Sequence, residues 1–153
     1  MDDQMLMDFY EKWSRLKPGP KAELRRVSHP DEILDQPAFY RLVASLGLEK
    51  PWREGLARLT FCIPHVNCSE GKNSLGAALG KTGKVSEKRM FQVIRADYPN
   101  DIIQLRRVLQ QIKPDVNWSK TAKQIYFWNL KDRKRVKRNK RQLLEDFVLN
   151  QPR

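Results

Sequence analysis

Apolar residues return at helical intervals along almost the whole chain, and nine prolines cut that pattern into short lengths. Met5, Phe9, Trp13 and Leu16 stand at i, i+4, i+8 and i+11, one helical stripe closed off by Pro18-Gly19-Pro20. A short helical piece carries Leu24 and Val27 and stops before Pro30. Pro37 suits the first turn of a helix through Phe39, Leu42, Val43 and Leu46, with Gly47 placed to end it. The next helix runs from about Pro51 to Ile63 and buries Leu56, Leu59 and Phe61, after which Pro64 to Asn73 reads as a surface loop. Ser74 to Leu79 form a short helical turn ended by Gly80. Ser86 caps a helix to about Asp97, with Val85 and Met90 at the spacing of a hydrophobic staple. Asp101 and Gln104 have capping-box spacing ahead of Ile102, Leu105, Val108, Leu109 and Ile112. Trp118, Ala122, Ile125 and Trp128 line a further helix, and Leu143, Leu144, Phe147 and Val148 the last. No alternating strand pattern, hairpin dipeptide or fixed-period repeat interrupts this reading. The expected fold is all-α: a compact bundle of about seven to nine helices in one domain over residues 1–153, with 1–83 and 84–153 as candidate sub-lobes.

Charge narrows the function. The 153 residues carry 30 Lys+Arg against 18 Asp+Glu, a net charge of +12, which predicts an anionic partner, most often nucleic acid. Residues 1–130 contribute +6, whereas Lys131 to Arg141 hold eight cations and one acid, Asp132. Smaller clusters punctuate the rest: Arg25 with Arg26, Lys81 with Lys84, Lys88 with Arg89, Arg106 with Arg107. Pairs spread through a folded body build a surface that a single tail cannot. No stretch approaches the roughly 20 apolar residues that cross a bilayer, so no membrane partner is expected. Asp2 and Asp3 open the chain where a signal peptide would be basic and then apolar. Two cysteines allow at most one disulfide, and the expected compartment is the reducing cytoplasm.

Motifs for chemistry are weak. Gly76-Ala77-Ala78-Leu79-Gly80-Lys81-Thr82 has three residues between its glycines where a phosphate loop needs four, and no strand leads into it. Cys62, His65 and Cys68 are spaced C-x-x-H-x-x-C, one incomplete zinc cluster, with His29 or Glu70 the available fourth ligands. The plainer reading makes Cys62 a small core residue and leaves His65 and Cys68 in a loop. Adjacent carboxylates, Asp31-Glu32 and Glu145-Asp146, point different ways on a helix. No catalytic residue, metal or cofactor is assigned, and the chain is read as a non-enzyme. Trp52, Tyr98, Tyr126 and Trp128 are candidates to stack on unpaired bases, against the commoner fate of aromatics, which is the core.

Six ordered blocks carry a more specific signal: Leu24–Glu32 (LRRVSHPDE), Pro37–Val43 (PAFYRLV), Ser74–Gly80 (SLGAALG), Met90–Asp97 (MFQVIRAD), Gln104–Leu109 (QLRRVL) and Gln142–Leu149 (QLLEDFVL). With them the chain resembles, over nearly its whole length, the small-subunit (CasB) family of the type I-E CRISPR surveillance complex, Cascade. The resemblance implies a non-catalytic, all-helical subunit of two small lobes, acting in antiviral defence. It would pack with a second copy of itself and contact the backbone and large subunits. It would bind nucleic-acid backbone without sequence preference and stabilise the R-loop of guide crRNA, target strand and displaced DNA strand, while guide pairing reads sequence. Carried over by motif, the nucleic-acid-binding residues are Arg26, Arg53, Lys88, Arg89, Arg95, Arg106 and Arg107. An additional basic surface is formed by Lys84, Lys131, Arg133, Lys134, Arg135, Lys137 and Arg138. The loop before Ser74 is shorter than in enterobacterial relatives, and the segment between Trp128 and Gln142 is longer by about two helical turns and more basic. Three roles stay open for that insertion: a wider DNA-binding face, a contact with another subunit, or a solvated helix. The readings from other classes are a small metal-dependent enzyme built on Cys62, His65 and Cys68 and a free-standing basic nucleic-acid chaperone.

Overall fold

The structure, a computed structural model, describes residues 2–46, 52–69 and 71–152. Ten α-helices and two three-residue strands occur among them, so the all-α expectation holds with one small parallel ladder added. Helix α1 (Asp3–Arg15) is capped by Asp2, whose carboxylate accepts the Met5 N–H at 2.9 Å. Its buried stripe is Leu6, Phe9 and Trp13, one residue displaced at its start from the expected Met5, which is half-buried. Pro18 both follows α1 and opens α2 (Pro18–Arg25), because a proline's missing N–H costs nothing in a first turn. The same device starts α3 (Pro30–Ile33) and α4 (Pro37–Val43), which runs into a 3-10 turn at Ala44–Leu46. Gly47 and Pro51 lie outside the described residues.

Helix α5 (Arg53–Cys62) is central, with every residue from Gly55 to Cys62 buried. A helix buried on all sides must satisfy its polar groups internally. Arg58 does so in part, donating Nε to the Ile125 carbonyl at 3.2 Å and Nη2 to the Tyr126 carbonyl at 2.6 Å while Nη1 has no partner among the described residues, and the Thr60 hydroxyl returns to the Leu56 carbonyl at 2.8 Å. The stretch expected to be only loop folds further: a 3-10 turn at Ile63–His65 leads into β1 (Asn67–Ser69). This strand pairs in parallel with β2 (Asp115–Asn117), Cys68 opposite Val116. Strands of three residues are too short for an alternation to be legible in sequence.

Helix α6 (Leu75–Thr82) is capped by Ser74 and ends at Gly83, whose φ of 65° is left-handed, rather than at Gly80. Gly76 and Gly80 face α10 (Arg133–Leu149) instead of any phosphate. A Cβ added at Gly76 would lie 2.4 Å from the Leu143 carbonyl oxygen, and one at Gly80 2.4 Å from that of Phe147. The glycine spacing therefore lets two helices approach backbone to backbone. Helix α7 (Glu87–Arg95) is capped by Ser86, and Val85 and Met90 are both buried as the staple requires. Helix α8 (Asn100–Ile112) begins one residue before Asp101. Asp101 is no cap, for its carboxylate is buried 2.7 Å from the Lys140 ammonium of α10. Asn117 caps α9 (Trp118–Tyr126), where Trp118 stacks on Phe9 and donates its indole N–H to the Leu6 carbonyl at 2.9 Å. No helix among the described residues is long and apolar enough to cross a membrane.

Candidate nucleic-acid interface

Helices α7 and α8 pack against each other and carry most of the residues expected to touch nucleic acid. Met90 and Val93 turn α7 inward, which leaves Lys88, Phe91, Gln92 and Arg95 exposed at i, i+3, i+4 and i+7. Arg89 lies half-buried beside them and hydrogen-bonds Gln111 of α8, tying the start of one helix to the end of the other. Arg107 projects from α8 into solvent. Exposed cations on packed helices offer fixed positive charge to a phosphate backbone.

The paired arginines do not act as a pair. Arg106 is only 9% exposed and turns into the core, its guanidinium 4.1 Å from the centroid of the Phe61 ring. Its Nη1 has no hydrogen-bond partner among the described residues. Desolvation lowers its pKa from the ordinary value, opposed by Cys62 and Glu32 and assisted by Arg107. Neighbours on a helix stand about 100° apart, so an amphipathic helix can bury one and expose the other. The expected broad exposed sector is thus one arginine wide. Arg26, at the C-terminal cap of α2, and Arg53, in the first turn of α5, are exposed, the latter 6.0 Å from the Tyr40 ring centroid. Lys84 lies exposed in the turn between α6 and α7.

The basic run is helical and anchored. Lys131 and Asp132 precede α10, and Arg133 to Arg141 form its first half. Lys131, Arg133, Lys134, Arg135, Lys137 and Arg138 are exposed, but Val136 and Lys140 are buried. Lys140 pairs with Asp101 and donates to the Ala96 carbonyl at 3.1 Å, so α10 is fastened where α7 ends and α8 begins.

The aromatic candidates fare differently. Trp128 is fully buried and Tyr126 nearly so, packed tilted against Trp52 and edge-on to Phe127, while Trp52 and Tyr98 are half-buried. Phe91 was the aromatic missed: it is 38% exposed, with the Arg95 guanidinium 4.8 Å from its ring centroid. Its signal in the sequence is its place between Lys88 and Arg95 on the face opposite Met90 and Val93.

Cys62, His65 and Cys68 do not converge on a metal-like site, and no group of three His, Cys, Asp or Glu side chains among the described residues does. Burial pushes the Cys62 thiol up to about 12, against the pull of Arg106 and Arg58. Burial likewise pushes Cys68 up to about 12, so both persist as thiols at neutral pH. His65 is held down at about 4, first by burial and then by Arg106, Arg25 and Lys113. A set of neutral groups beside cations is a poor cradle for another cation.

Comparison with known proteins adds a consistent picture. The family model described as CRISPR-associated protein Cse2 matches residues 20–147. The sequence is 41% identical to the CRISPR system Cascade subunit CasB of Escherichia coli strain K12, over 97% of this chain and 95% of that protein. A chain in the crystal structure of E. coli Cascade bound to a PAM-containing double-stranded DNA target superposes with a TM-score of 0.84 at 41% identity, covering 94% of each chain.

Proposed function

The chain belongs to the Cse2 (CasB) family of CRISPR-associated proteins, and from that membership we propose that it is a non-catalytic subunit of a type I-E Cascade complex. It works in the cytoplasm, assembled with the backbone and large subunits, guide crRNA and a second copy of itself. Its task is to hold the phosphate backbones of the target and displaced strands once guide pairing has opened the duplex. The observation that carries this reading is the exposed α7–α8 face, where Lys88, Arg95 and Arg107 stand on helices fixed by their buried sides. Arg89, Arg26 and Arg53 are further phosphate contacts in this reading, whereas Arg106 is buried against Phe61 and takes no direct part. Such a surface has no need of base-edge contacts, because phosphate contacts position a strand without reading it.

Reconstitution tests the assignment. Cascade assembled from its other subunits and guide RNA, with and without this chain, is given a matched duplex, and permanganate reports unpaired thymines in the displaced strand. Inclusion of the chain is expected to raise displaced-strand reactivity at limiting complex. Equal reactivity in its absence would overturn the proposal.

A further inference from the structure

A groove of about 390 Å³ lies on other elements than α7 and α8, between the end of α1, helix α2 and the chain from Ile63 to Cys68. One wall is a strand edge. The Asn67 N–H donates to the Pro114 carbonyl at 2.9 Å, so Asn67 turns its backbone toward β2 in the parallel ladder. Backbone groups alternate sides along a strand, which directs the Val66 C=O and the Cys68 N–H and C=O away from β2. Val66 and Cys68 both line the groove. The other edge of this small sheet is already covered, because the Asn117 N–H of β2 donates to the Asn73 carbonyl at 2.8 Å. A strand with one open edge is a template for an extended chain that offers alternating N–H and C=O groups.

The opposite wall supplies aromatic surface and charge. Trp13, 7% exposed, and the half-buried Tyr10 form an apolar shelf. Lys21 and Arg25 stand one turn apart on α2 and bring two positive charges. Lys21 is held in place: its ammonium donates to the Ser14 carbonyl at 3.2 Å and stands 5.8 Å from the centroid of the Trp13 ring. No carboxylate among the described residues lines the groove, so it supplies no counter-charge of its own.

We infer that this groove docks an extended acidic segment of a partner protein, added as a third strand along Val66 to Cys68 with its carboxylates at Lys21 and Arg25. Every second side chain of such a strand faces the same way, so apolar residues at that spacing rest on Trp13 and Tyr10. A DNA strand does not suit this edge, since its backbone accepts hydrogen bonds and has none to donate to the Val66 and Cys68 carbonyls. The inference rests on the reading of the chain as a subunit of Cascade, but it concerns a different surface from the α7–α8 face.

The test uses purified Cascade containing the full chain. A carbodiimide couples an amine directly to a carboxylate in contact with it, and mass spectrometry reads the joined peptides. Lys123 and Asp3, an exposed pair 2.6 Å apart, provide the internal control. Lys21 is expected to couple to an Asp or Glu of another protein chain. Hydrogen exchange at the Cys68 amide is expected to slow by about tenfold or more from the isolated chain to the complex, as a new ladder bond requires. Lys21→Gln/Arg25→Gln should weaken attachment of the chain to Cascade purified without it by about threefold to tenfold. Arg15→Gln/Lys17→Gln removes two cations near the groove but outside it, and should change attachment less than about twofold. A complex that assembles and opens target DNA, and gives the control crosslink but none at Lys21, would leave the assigned function standing and overturn this inference. Cys68 protection that appears only on adding target DNA would overturn it as well, by making the occupant a nucleic-acid strand. So would equal losses for the two variant pairs.

Discussion

Residues that look alike in this sequence diverge in the fold because burial, not type, sets their chemistry. Arg58 and Arg106 are interior arginines, one bonded to the carbonyl ends of α9 and the other resting on Phe61, while Arg107 next door is exposed to solvent. His65 shows the cost of such an interior. It is 6% exposed, its Nε2 has no partner among the described residues, and burial together with Arg106, Arg25 and Lys113 holds its pKa at about 4. The unfolded chain takes up this proton near 6.5 and the folded chain only near 4, so acid favours unfolding across that interval. The contribution is complete above about 6.5 and is lost as pH falls to about 4, a span worth about 3 kcal/mol. Urea midpoints measured from pH 7 to pH 4 should therefore fall more steeply for the wild type than for His65→Gln. Parallel declines would show that His65 does not titrate in this way.

At the scale of elements, α10 explains how a helix overloaded with cations stays in place. Its inner face is fixed by Gly76 and Gly80 of α6 along one side and by the Lys140–Asp101 pair at the junction of α7 and α8. Removing one member strands the other charge in a site where neither is more than 10% exposed. Asp101→Leu is expected to cost about 3–5 kcal/mol, and adding Lys140→Met should restore much of that loss, since a packed apolar pair escapes the desolvation penalty. Equilibrium denaturation of the two single variants and the double variant measures this coupling; additive losses would mean that the pair is not a unit. These elements also show what was legible beforehand. The Ser86 cap, the helix opened by Pro37 and the core tryptophans follow from local chemistry and could be read, whereas Pro18 and Pro30 read as helix ends although each also opens a helix. The Asp101 spacing suggested a cap, and Gly76 to Thr82 suggested a phosphate loop, because their true partners, Lys140 and the α10 backbone, are distant in sequence. No local pattern encodes such contacts.

For the whole molecule, the 30 cations do different work. Some are structural, as Arg58, Arg106 and Lys140 are. Others stand exposed on α7 and α8 or on the first half of α10. The six sequence blocks identified the family, and the fold places Met90–Asp97 and Gln104–Leu109 together on one helix pair. Which arginine of a pair faces outward required the tertiary fold, since it depends on the helices packed behind. The exposed Phe91 escaped notice for the same reason. If fixed cations on the α7–α8 face, rather than total charge, hold the DNA backbone, the salt dependence of target-duplex binding should differ between reconstituted Cascade carrying the wild-type chain and Cascade carrying Lys88→Gln/Arg95→Gln/Arg107→Gln. The expected slope of log K against log salt is shallower by about 2 to 3 for the variant, from about 0.9 per lost phosphate contact. An unchanged slope and affinity would contradict it.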